Sequence, residues 1–244
     1  MNPRRAALVL FLIITVTCST FASCNFSGLT GPVNAPLMVA IWRGDIGAVS
    51  KLLNSTPSLD IKFQFCGRQG EKTPETTPLV NAVQANFQAR TGEGHMQMLE
   101  YLLNHGASPN FPLDGFTPLH MAAAIGNLPA VKLLLRYGAS VDPVYGDETP
   151  LLLAVQNGYM PVIKELIAAG ANFELHDSLG GNLVSVAASH HDEEVVKLLI
   201  QLGVDPCAKD HDGNDAIYWA GFGNDSPAKL ATIKLLKAEC GLYD

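Results

Sequence analysis

Four glycines, Gly106, Gly138, Gly170 and Gly203, follow one another at intervals of 32, 32 and 33 residues. A period of this length means that one small unit is built several times and its copies stacked, because two short helices cannot bury their apolar faces alone. The stretch Thr117 to Asp142 shows what the unit is. Thr117 is a good N-cap, and Pro118 suits the first helical position, where no donor is missed. Leu119, Ala122 and Ala123 place a small-residue stripe on a short helix that Gly126 stops. Asn127 and Leu128 turn the chain, and Pro129 opens a second helix. Val131, Leu134 and Leu135 form its stripe, and Gly138 ends it.

Alignment on the alanine of the first helix places Ala40, Ala82, Ala122, Ala154, Ala187 and Ala220 in register. Thirteen residues after four of these stand Leu53, Leu135, Ile167 and Ile200. The motif Thr117-Pro118-Leu119-His120, Ala122-Ala123, Gly126 resembles the ankyrin repeat. It recurs at Thr77-Pro78-Leu79 and Thr149-Pro150-Leu151, then decays to Asn182-Leu183 and Asp215-Ala216. The fold so implied is all-α, an ankyrin-repeat solenoid of six helix-turn-helix units with hairpin or loop fingers. The units fall at about 36–62, 77–110, 117–142, 149–174, 182–207 and 215–241 of a domain spanning 36–244. Leu52, Leu53, Leu134, Leu135, Leu198 and Leu199 are expected in its core. The end units lack the Thr-Pro start, as caps with wet outer faces should. Extra residues around 63–76 fall in a finger, those at 87–94 extend the turn between two helices, and three more lie near Asp225. Insertions in such stacks go to loops on one face, often the binding face.

The first 23 residues stand apart. Arg4 and Arg5, the largely apolar run Ala6 to Val16 and the small, polar Thr17 to Ser23 form a secretory signal pattern, too short to span a membrane. Phe21-Ala22-Ser23-Cys24 resembles the lipobox of bacterial lipoproteins, with Phe21 where leucine is usual. The resemblance implies lipidation of Cys24, a linker over 24–35, and a periplasmic protein held by acyl chains alone. Asn25 after the cysteine favours the outer membrane of a Gram-negative bacterium. Ordinary cleavage after Ala22, leaving a soluble periplasmic or secreted protein, is the alternative. Removing residues 1–23 takes two of the 16 basic residues and none of the 23 acids, leaving a mature charge of −9. With no basic stripe, nucleic acid is excluded as a partner.

Three cysteines follow Cys24, an odd number and no disulfide framework. Cys207 and Cys240 fall at the same end of units five and six; a bridge and two separate thiols are both open. No pattern for nucleophilic, phosphate or metal-dependent catalysis occurs, so no enzyme is expected and no cofactor. His176, His190, His191 and His211 gather near Cys207, yet none has a reliable ligand spacing, and no metal is assigned.

The family resemblance places binding at the finger tips and the exposed side of the inner helices. Carried over position by position, these are Trp42, Arg43, Gln84, Phe116, Ile125, Tyr145, Glu148, Gln156, Asn157, Leu179, Ser189, His190, His211 and Phe222. Trp42, Phe116, Tyr145 and Phe222 stand out, because an aromatic facing water is unfavourable unless something covers it. The chain is thus expected to be a non-enzymatic binder of one protein, monomeric when free. Its most concrete role is that of an immunity protein neutralising a secreted, type VI lipase-like toxin. The alternative is an assembly or stress-support factor for a resident enzyme or envelope complex.

Overall fold

Each inner helix within residues 114–242 begins at a residue whose side chain closes its own first turn. In the computed structural model, which describes residues 34–54, 58–66, 72–88, 93–177, 179–223 and 225–242, Thr117 is extended and its hydroxyl accepts the His120 amide. Thr149 does the same for Leu152 at 3.2 Å, Asn182 for Ser185 at 3.1 Å, and Asp215 for Tyr218 at 2.9 Å. The decay of Thr to Asn and Asp in the later units therefore changes the residue and keeps the function, since all are strong N-caps. Signal residues 1–23 and Cys24 lie outside the described residues.

Residues 1–113 and 114–244 form two compact units. The first carries α1 (Asn34–Arg43), α2 (Ile46–Leu53), a hairpin of β1 (Phe63–Cys66) and β2 (Lys72–Thr76), α3 (Pro78–Gln88) and α4 (Glu93–Asn104). Helix α1 packs on α2 and α3, and α3 on α4. The described residues of the 63–76 insertion are two antiparallel strands, paired Phe63 with Thr76 and Gln64 with Glu75, irregular between Gln64 and Cys66. At 87–94 the lengthened turn gives way to longer helices: α3 runs on to Gln88 and α4 begins at Glu93. Residues 87–88 and 93–94 are helical because extending a formed helix adds one bond per residue fixed.

The second unit repeats an inner and an outer helix four times. The inner helices are α5 (Pro118–Ala124), α7 (Pro150–Gln156), α9 (Leu183–Ser189) and α11 (Ala216–Ala220). The outer ones are α6 (Leu128–Arg136), α8 (Met160–Ala168), α10 (Glu193–Gln201) and α12 (Pro227–Glu239). Inner helices pack on one another along the stack and each on its own outer helix, giving two layers. Leu119, Ala122 and Ala123 are fully buried between them. Helix α6 starts one residue before Pro129, with Asn127 as its cap.

Of the six leucines expected in the core from the outer helices, only two are fully buried. Leu134 and Leu199 are fully buried, whereas Leu52, Leu53, Leu135 and Leu198 are half-buried. Leu135 lies about 100° round the helix from Leu134 and reaches the edge of the seam. Gly138 follows at φ +82°, where no Cβ would touch anything, so its backbone conformation alone requires glycine.

Candidate functional site

The finger tips are ordered by their own acids. In the tip before α9, Asp177 Oδ1 accepts the amides of Leu179 at 2.8 Å and Gly181 at 2.9 Å. In the tip before α11, Asp210 Oδ1 accepts those of Asp212 at 3.0 Å and Asn214 at 2.8 Å. Such aspartate turns fix a loop through side-chain bonds to the backbone two and four residues on. Asp210 is buried, and its Oδ2 also takes the Trp219 indole N–H at 2.9 Å. Burial opposes its charge. The Asn214 amide, the Trp219 indole, the Asn214 side chain and the Asp212 amide together outweigh burial and hold the carboxyl below its ordinary range.

Neighbouring tips interlock. The His211 amide donates to the Leu179 carbonyl at 2.9 Å, and the His211 ring lies so close to Gly180 that a Cβ there would come within 2.6 Å. Tyr145 and Glu148 exchange two backbone hydrogen bonds of 2.9 Å across Gly146 and Asp147. Tyr145 in turn lies against Gly115 of the preceding tip.

Phe116 is not the water-facing anchor that its position implies. It is only 9 % exposed, stacked on His120 with centroids 5.1 Å apart and met edge-on by Tyr145 at 5.3 Å. Such ring pairs are favourable beyond the area they bury, and they close the joint between two fingers from within. His120 carries that joint. Its Nδ1 accepts the Thr117 amide at 3.0 Å, and its Nε2 donates to the Glu148 carbonyl at 3.3 Å. Burial lowers its pKa to about 4, with the carbonyls of Glu148 and Pro143 pulling part of the way back, so the ring is neutral with its proton on Nε2. Ile125 is likewise buried, at the turn where the Tyr159 ring of the next unit lies on Gly126. Covering an aliphatic side chain gains more than leaving it wet.

Exposed aromatic surface gathers elsewhere, at α11. Tyr218 is 49 % and Phe222 52 % exposed. Their rings meet at 5.1 Å, and the half-buried Trp219 lies 5.5 Å from Tyr218 and 5.8 Å from Phe222. The Asp210 bond clamps Trp219, so the other two rings rest on a fixed base. Position-by-position transfer finds Phe222 and misses Tyr218, which stands where the motif histidine, His120, stands in its own unit. The signal was in the sequence: an aromatic in place of a histidine whose neighbours it cannot reproduce.

The other expected residues are dispersed. Arg43, Asn157, Leu179, His190 and His211 are exposed; Trp42, Gln84, Tyr145, Glu148, Gln156 and Ser189 are half-buried. Several are held: the Trp42 carbonyl accepts from His95 at 3.0 Å, Asn157 donates to the Leu153 carbonyl at 2.7 Å, and Ser189 donates to that of Val186 at 2.8 Å. Cys207 and Cys240 are joined in a disulfide with Cα atoms 5.8 Å apart. His191 donates to the Ala220 carbonyl at 3.1 Å. Among the described residues no group of three or more His, Cys, Asp or Glu could hold a metal ion, and no helix is long and apolar enough to cross a membrane.

Short inner helices, capped fingers and an uncovered aromatic cluster form a surface suited to contact. The family model described as Ankyrin repeats (3 copies) matches residues 37–145 and 151–241. No curated protein matches the chain.

Proposed function

We propose that this chain, which belongs to the ankyrin-repeat family and is therefore a protein-binding module, works outside the cytoplasm as an immunity protein against a secreted, lipase-like toxin. The observation that carries the binding role is the rigid, uncovered ring cluster of Tyr218, Trp219 and Phe222. Tyrosine and tryptophan dominate binding hot spots because they bring a large area at small entropic cost. Export is supported by the signal pattern before Cys24 and by the Cys207–Cys240 bridge, because reducing compartments keep such thiols apart. Anchoring through an acylated Cys24 would place a rigid, acidic binder on the membrane that a lipase attacks.

Two experiments test this. Palmitate-analogue labelling should mark the wild type and spare Cys24→Ala; equal incorporation would end the anchored reading. Affinity capture from solubilised envelopes should retain a toxin with the wild type and lose it with Tyr218→Ala/Phe222→Ala. Capture of a resident envelope complex instead would transfer the assignment to an assembly factor.

A further inference from the structure

We propose that the partner docks through a basic surface, with an arginine of that surface laid over Tyr218 and Phe222. This rests on the binding role above and specifies the chemistry of its occupant. The two rings are half exposed, mutually edge-on and backed by Trp219. An exposed ring face carries partial negative charge, which a planar guanidinium covers better than an aliphatic side chain does.

Charge on the two sides of residues 114–242 points to the same occupant. The fingers and inner helices (114–126, 137–158, 169–190 and 202–223) carry ten acids against one base, Lys209. The outer helices and their caps (127–136, 159–168, 191–201 and 225–242) set seven bases against six acids. Outer-side lysines meet outer-side acids: Lys132 pairs with Glu165, Lys197 with Glu193 and Lys229 with Asp225. The finger side is therefore a one-sign field, and such a field steers a partner of opposite sign. The aromatic cluster lies within it. The Asp210 carboxylate bonds both the Trp219 indole and the amide of the exposed Asp212, and Asp215 caps the helix that bears Tyr218.

The test uses the mature chain and a short fluorescein-labelled arginine-rich peptide, beside the same peptide with neutral citrulline at each arginine. Anisotropy should show binding of the arginine peptide that weakens with salt, and binding of the citrulline peptide about tenfold weaker or less. Tyr218→Ala/Phe222→Ala should weaken the arginine peptide about tenfold. Asp212→Lys, at an exposed position outside the core, should weaken it several-fold, whereas Glu193→Gln/Glu194→Gln on the outer side should leave it within about twofold. Equal binding of the two peptides, no binding of either, or indifference to the ring variant would overturn the proposal. So would concentration-dependent self-association lost in the ring variant, which would give the face to a second copy of the chain. A captured partner whose docking face is neutral or acidic would also overturn it while leaving the binding role intact.

Discussion

The indole nitrogen of Trp219 donates to the buried Asp210 carboxylate at 2.9 Å, tying the last finger tip to the last inner helix. One acid thereby orders a loop through two backbone amides and fixes the base of an exposed ring cluster.

Asp210→Ala should release both. With Trp42→Phe as background, emission from Trp219 should shift to the red and the thermal midpoint should fall, while Asp212→Ala changes neither. Because the folded carboxyl titrates below its ordinary range, the stabilisation is present above the unfolded value and is lost only as pH falls through the lowered one. The Trp219 signal should accordingly hold at pH values where an ordinary aspartate is half protonated.

Gly126→Ala should be far more damaging than Gly138→Ala. Both glycines have positive φ, +72° and +82°, but a Cβ at Gly126 would meet the Tyr159 ring at 2.7 Å and one at Gly138 would meet nothing. The backbone effect alone is about 1–2 kcal/mol, and forcing the ring aside adds roughly 1–3 kcal/mol. Urea unfolding should show this difference, and it should vanish in a Tyr159→Ala background.

His120 should make the protein sensitive to mild acid. Its pKa of about 4 lies below the ordinary 6.5, so between these values the unfolded chain binds the proton that the folded ring refuses. Stability is then complete above pH 6.5 and declines toward pH 4, by about 2 kcal/mol at pH 5 relative to pH 7. Denaturant midpoints at the two pH values measure this. A His120→Gln variant, which cannot titrate, should lose that part of the slope.

Reduction should loosen the last units. The Cys207–Cys240 bridge closes a separation of 33 residues, and the chain-entropy estimate for such a loop is about 3–4 kcal/mol. Unfolding with and without a phosphine reductant should differ by this order, and Cys240→Ala should behave as the reduced wild type does.

What the sequence made legible follows its local chemistry. The caps at Thr117 and Thr149, the stops at Gly126 and Gly138, and the stripe of Leu119, Ala122 and Ala123 depend on a few neighbouring residues, and the repeat multiplies the signal. Exposure is different, because it depends on what the adjoining unit brings. Phe116 occupies a position open to solvent in the pattern, but here Tyr145 and His120 enclose it. Ile125 is covered in the same way, where the Tyr159 ring reaches the turn. Tyr218 escapes for the converse reason: its position belongs to a structural histidine, and only the change of that histidine to an aromatic marks the place as open. Leu134 and Leu135 both belong to the expected outer stripe, yet only Leu134 is fully buried, because a count of apolar residues does not tell which of two neighbours faces inward.

The central claim is that Tyr218 and Phe222 form the anchor of a protein interface. Calorimetric titration of the captured partner into the wild type and into Tyr218→Ala/Phe222→Ala tests it most directly, once matched circular dichroism shows both are folded. Two hot-spot rings at about 2 kcal/mol or more each predict a loss of affinity of roughly a thousandfold. Affinities equal within about twofold would contradict the claim, since that is the effect of a substitution outside the interface core.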